Sequence, residues 1–115
     1  HPRLASQADS FHPAVLRLIA TTVKAAHAHG KWVGVCGALA SEALAVPVLI
    51  GMGVDELSVS VPLIPTIKAT VRELDLADCQ IIARQVLGLD EAALVRDALR
   101  QYQAATVETS PVVEL

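Results

Sequence analysis

Apolar and polar residues alternate along this chain at two different periods. From Pro13 onward, Val15, Leu18, Ile19, Thr22, Val23 and Ala26 recur at helical spacing. Pro13 suits the first turn of such a helix and Gly30 the position just past its end. Lys31 to Gly37 then reads Lys-Trp-Val-Gly-Val-Cys-Gly, with almost no polar face, as expected of a strand buried on both sides. A second such run is Glu-Leu-Ser-Val-Ser-Val, from Glu56 to Val61. Between them the apolar stretch Ala43 to Met52 predicts a helix that Gly51 and Gly53 end. Pro47 has no N–H to give, so this helix either starts late, near Leu44, or is kinked.

Downstream, Pro65 opens a helix with Ile64, Ile67, Val71 and Leu74 on one face. Asp75 and Asp90 are candidate N-caps of two more, with Gly88 between them. His1 to Phe11 shows no sustained period and reads as the continuation of something that precedes it. Thr106 to Leu115, with Ser110 and Pro111, shows none either. The expected layout is a domain over residues 1–105 and a flexible tail over 106–115.

The resulting order is helix, strand, helix, strand, then three helices, an α/β pattern. Two parallel strands make no stable sheet alone, so the sheet is expected to be incomplete within this chain. A right-handed crossover between strands about two dozen residues apart fits a doubly wound sheet and a (β/α)8 barrel equally well.

Composition narrows the function classes. Of 115 residues 53% are apolar and only 3% aromatic, which favours helices and buried parallel strands over an antiparallel sandwich. A formal net charge of -3 with scattered Lys and Arg argues against nucleic acid. Ala43 to Met52 is too short to span a bilayer, and no charged region with a cleavage site opens the chain, so a soluble, cytoplasmic protein without a membrane partner is expected. Cys36 and Cys79 are far apart and read as free thiols, and the close pair His27 and His29 faces different sides of a helix, so no metal spacing is present.

Chemistry concentrates in Gly34-Val35-Cys36-Gly37-Ala38-Leu39-Ala40-Ser41. It places a thiol at the carboxyl end of a strand, where parallel α/β folds build their sites, flanked by glycines that let a ligand approach the backbone. Position alone leaves open whether Cys36 is functional or a small buried hydrophobe.

Three motifs in order, Gly30-Lys31-Trp32, Gly34-Val35-Cys36-Gly37 and Gly51-Met52-Gly53-Val54-Asp55-Glu56-Leu57-Ser58, resemble the end of Enzyme I of the sugar phosphotransferase system. The opening His1-Pro2-Arg3-Leu4-Ala5 through His12-Pro13-Ala14-Val15-Leu16 is most similar to its fused multiphosphoryl-transfer branch, and the likeness runs to about Tyr102. The resemblance implies the C-terminal fragment of a (β/α)8 TIM barrel, about the last two βα units plus terminal helices. It implies a phosphoenolpyruvate-protein phosphotransferase that uses Mg2+ in the full-length parent, passes the phosphoryl group through a histidine to the phosphocarrier protein HPr, releases pyruvate, and forms a homo-oligomer. Cys36 then matches the cysteine that protonates the enolate of pyruvate. A thiol, with an ordinary pKa of about 8.5, is mostly protonated at neutral pH yet acidic enough to give its proton to a carbanion-like carbon.

The family's metal and phosphate ligands come from earlier strands, and Arg3 does not match its Asp-Arg motif. No cofactor is therefore expected in this fragment, and the chain alone is expected to be inert. The family's frequent Glu after Cys-Gly is Ala38 here, which leaves only backbone N–H groups such as that of Gly37 or its neighbour to meet substrate.

Other residues weigh towards structure. Asp55 and Glu56 look like a carboxylate pair, but neighbouring strand residues face opposite ways. Ser58 and Ser60 share a face, and Ser60, nearer the carboxyl end, is a candidate for substrate contact, although a satisfied core hydroxyl is the default. His27 and His29 suit the negative end of a helix dipole. Cys79 lies in the first turn of a helix, which would lower its pKa, but packing is its default role. Trp32 reads as a packing residue, and Arg84, Arg96 and Arg100, interspersed with acids, as a solvated face. A non-catalytic interaction module with an open sheet edge is the alternative. A thiol redox protein would need Cys-x-x-Cys or a base beside Cys36, and has neither.

Overall fold

The computed structural model describes residues 1–4 and 8–109, with only the backbone described for 107–109. Helix α1 spans Pro13–Ala28. The His12 ring caps it, Nδ1 accepting the Ala14 N–H at 3.2 Å, and Gly30 at φ +65° lets the chain turn away after it. Strands β1 (Gly34–Val35) and β2 (Glu56–Leu57) pair in parallel, Gly34 opposite Glu56 and Val35 opposite Leu57. The regular ladder is thus shorter than the apolar runs that predicted it. Each strand has one neighbour among the described residues, so backbone pairing has nothing to extend against. Nor is β1 buried on both sides: Gly34 and Cys36 are exposed and Val35 is half-buried. Trp32 is 68% exposed, which corrects its reading as a packing residue.

The helix expected over Ala43 to Met52 forms as a 3-10 turn that runs into a regular helix, and a short helix that the pattern did not announce precedes it. Helix α2 covers Ala38–Ser41, a 3-10 turn covers Ala43–Ala45, and α3 runs over Val46–Gly51. Glu42, extended at φ -91° and ψ 113°, separates α2 from the 3-10 turn. Pro47 falls in the first turn of α3, so the late start holds and no kink is needed. Val46, Pro47, Val48 and Leu49 are all buried, and Gly51 lets α3 lie directly on the backbone of a later helix.

After β2 a 3-10 turn (Val61–Leu63) leads into α4, Ile64–Arg72. Its apolar face is largely uncovered: Ile67 is buried, but Ile64 is 40% exposed and Val71 39%. Helix α5 spans Leu76–Leu87, and Asp75 caps it, Oδ1 accepting the N–H groups of Ala77 at 2.8 Å and Asp78 at 3.1 Å. Helix α6 spans Ala92–Thr109. It begins two residues past Asp90, with the Val95 N–H bonded to the Glu91 carbonyl, so Asp90 is not its cap; it lies instead 3.7 Å from Arg17. The helix carries through Thr106–Thr109, the first residues of the expected tail; the remainder of that tail, 110–115, lies outside the described residues. The core gathers Phe11 and Leu16, Leu49 from α3, Ile82 and Val86 from α5, and Leu99 from α6, with Val35 and Leu57 packed at its border.

Candidate active site at the carboxyl end of the paired strands

Cys36 follows β1 directly and is exposed. Gly37 then turns the chain at φ +81° and ψ -162° into α2. A Cβ there would meet nothing within 4 Å, so the glycine is required by the backbone angle and not by crowding. The Ser41 hydroxyl closes the turn, donating to the Gly37 carbonyl at 3.3 Å. From the other strand, the Ser58 N–H donates to the Val35 carbonyl at 2.8 Å, which brings the end of β2 beside the residue before Cys36. Ser60 is exposed and precedes the second 3-10 turn without capping it through its side chain. Both serines lie past the ladder, and the one bonded at the Cys36 strand is Ser58. Among the described residues no side chain hydrogen-bonds Cys36, so the thiol stands free at the mouth of the strands.

Asp55 belongs to the opposite end. Its Oδ2 accepts from His27 Nε2 at 2.7 Å and from the Val33 N–H at 2.8 Å. These bonds, that of His27 foremost, hold its carboxyl below the ordinary carboxylate range. The arrangement ties the last turn of α1 to the entry of both strands. His27 is structural, as its place at a helix end suggested, but its partner lies 28 residues away and no local pattern could have announced it.

Arg96 corrects the solvated-face reading. Its guanidinium lies 4.1 Å over the buried Phe11 ring and grips Asp9 with Nε at 3.1 Å and Nη2 at 2.7 Å. Chiefly this hydrogen bonding lowers the Asp9 carboxyl from its ordinary range. Arg17 is engaged as well, donating to the Leu87 and Leu89 carbonyls at 2.9 and 2.7 Å. Arg100 fits the expectation, paired among the described residues with the exposed Asp97 one turn away.

Cys79 is buried, its Sγ 3.9 Å from the Tyr102 hydroxyl. Burial pushes its thiol up, opposite to the lowering that a helix start would produce. Burial likewise pushes Tyr102 up to about 12. These groups pack.

The donor set does not fit Mg2+. Among the described residues no three His, Cys, Asp or Glu side chains come together, and Asp9, Glu42 and Asp55 already face cationic or imidazole partners. Among those residues no helix is long and apolar enough to cross a membrane.

A parallel strand pair with a glycine turn after its first strand and helices packed against it make this part of an α/β domain. The chain belongs to the family described as PEP-utilising enzyme, PEP-binding domain, whose model matches residues 1–76. Among its relatives, the multiphosphoryl transfer protein of Rhodobacter capsulatus is 51% identical over 96 residues, 84% of this chain and 12% of that protein. That of Xanthomonas campestris pv. campestris is 45% identical over 106 residues, 90% of this chain and 13% of that protein. The phosphoenolpyruvate-protein phosphotransferase of Haloferax volcanii is 42% identical over 97 residues, 84% of this chain and 17% of that protein. The resemblance carried by the three motifs is borne out, and the chain spans about an eighth to a sixth of the length of these relatives.

Proposed function

We propose that this chain is the end of the (β/α)8 barrel of a phosphoenolpyruvate-protein phosphotransferase of the multiphosphoryl-transfer kind, and that Cys36 is its proton donor. The observation that carries the reading is an exposed, unengaged thiol at the carboxyl end of two parallel strands, in a chain of the phosphoenolpyruvate-binding family. In the reaction the P–O bond of phosphoenolpyruvate breaks as a P–N bond forms to a histidine elsewhere in the protein, leaving the enolate of pyruvate. The Cys36 S–H then gives its proton to the methylene carbon, a C–H bond forms, and the thiolate regains a proton from solvent. The open Gly37 turn lets substrate come close, and Ser60 is a secondary contact. The phosphoryl group goes on to a phosphocarrier protein, HPr, in cytoplasmic sugar uptake. Mg2+ belongs to the parent site, held by residues outside this chain.

In the complete phosphotransferase carrying this segment, Cys36→Ala should stop turnover to pyruvate while phosphoenolpyruvate still binds; native turnover would refute the proton-donor role. Titrating the 115-residue chain alone with phosphoenolpyruvate and Mg2+ in a calorimeter should give no heat of binding, and micromolar affinity would refute the assignment of the ligands to other segments.

A second reading, an interaction or dimerisation module, draws on the apolar surface beside the strands. Val61 is 78% exposed and Trp32 68%, and the outer edges of β1 and β2 have no partner among the described residues. The two readings are compatible, since a barrel segment needs the rest of its barrel.

A further inference from the structure

We propose that Arg96, on the C-terminal helix, is a positioning residue that holds the Cys36-Gly37 turn in place through Glu42. The proposal rests on the reading of Cys36 as the reacting group. Arg96 lies past residues 1–76, the stretch that matches the phosphoenolpyruvate-binding family.

The geometry runs from α6 to the turn in short steps. The Arg96 guanidinium lies 4.1 Å over the Phe11 ring, and two of its nitrogens are taken by Asp9. Its third nitrogen, Nη1, faces Glu42 Oε2 at 3.6 Å. Glu42 is the joint between α2 and the 3-10 turn: its N–H donates to the Leu39 carbonyl at 3.3 Å, and its carbonyl accepts from the Ala45 N–H at 2.8 Å. Helix α2 is a single turn that Gly37 immediately precedes, and Leu39 and Ala40 are buried. A shift of Glu42 is therefore passed through one turn of helix to Gly37 and Cys36. A second contact from α6 steadies the same joint, Gln103 Nε2 donating to the Ala43 carbonyl at 3.4 Å.

An isolated, half-exposed ion pair at this distance would contribute little, because ordering two long side chains offsets its attraction. Here Asp9 and Phe11 have already ordered the arginine, so Glu42 meets a preset charge. The planar fork is essential to this: a lysine has one ammonium and cannot present separate fixed nitrogens to Asp9 and Glu42.

The test uses amide exchange followed by NMR in the full chain, with the N–H groups of Glu42 and Ala45 reporting on the joint and those of Ile82 and Val86 reporting on the core. Arg96→Met and Arg96→Lys should both speed exchange at the joint by about tenfold, and Glu42→Gln by about threefold, with core exchange within about twofold of native. In the complete phosphotransferase, Arg96→Met should lower kcat by about tenfold and leave KM within about twofold, as misplacement of a reacting group does. Unchanged exchange at Glu42 and Ala45, or equal acceleration in the core, would overturn the positioning role. Glu42→Gln alters one half-exposed side chain and keeps the test decisive should Arg96→Met fail to fold. Native turnover by Cys36→Ala would count against the proton-donor reading instead, so the two failures are distinguishable.

Discussion

Gly51→Ala puts the packing of this fold to a sharp test, because helix propensity and tertiary structure predict opposite signs. Gly51 ends α3, and replacing a helical glycine by alanine ordinarily gains up to about 1 kcal/mol. A Cβ at Gly51, however, would stand 1.9 Å from the Cys79 carbonyl oxygen, 2.5 Å from its carbon and 2.9 Å from Ala83 Cβ. Two of these atoms are backbone and cannot rotate away. To restore ordinary contact distances α3 and α5 must part by roughly 1.5 Å, enough to forfeit about half of each dispersion contact along the seam. That seam includes Val48, Leu49, Ile82 and Val86, all in the core. Overpacking of this kind costs about 1–3 kcal/mol and more where backbone is involved, so a net loss of about 3 kcal/mol is expected after the propensity gain. For a domain of this size that is a fall in Tm of more than about 12 °C. Urea unfolding followed by circular dichroism should show the midpoint drop with an unchanged slope. Gly88→Ala is the matched control: φ is -86° and the nearest atom to its Cβ is the Gln85 carbonyl at 3.4 Å, so it should be neutral or gain up to about 1 kcal/mol. A Gly51→Ala variant as stable as the parent chain would refute the direct seating of α3 on α5.

Asp9→Asn should cost about 1–2 kcal/mol, the lower side of the range for charge-assisted bonds because the pair is partly exposed. Its carboxyl is depressed in the folded state, so the stability it contributes is complete above the ordinary Asp pKa of about 3.9 and is lost as pH falls through the depressed value. The parent chain should therefore lose more stability than Asp9→Asn in urea titrations carried below about pH 4. Asp75→Ala removes the acceptor of two α5 N–H groups and should cost about 1 kcal/mol, read as a lower urea midpoint. Thiol titration of the native chain should find Cys36 reactive and Cys79 silent until denaturant is added, as their exposed and buried settings require; prompt reaction of both would refute the burial of Cys79.

Element types were legible from local pattern because period and caps are local. The first helix needs only Pro13, the recurrence from Val15 to Ala26 and Gly30, and α5 needs only Asp75 and its apolar face. Cys36 could be singled out for the same reason, since a strand, a thiol and a glycine turn are neighbours in the chain. Lengths and burial were less legible: Trp32 and the β1 run look like core residues by composition, yet among the described residues Trp32, Gly34 and Cys36 are left exposed. Helix α2 lies ahead of the apolar stretch that reads as a helix, set apart from it by the extended Glu42, and no local period announces it. The ion-pair partners were out of reach altogether. Arg96 meets Asp9 across 87 positions and His27 meets Asp55 across 28, and charges scattered along a chain look like solvated surface until folding sets them face to face. By itself the sequence determined which segments are helix or strand, where the thiol stands and which family the chain resembles. Only the tertiary structure decided what Arg96, His27 and Gly51 touch, because those contacts depend on how helices seat against one another and not on any repeat within them.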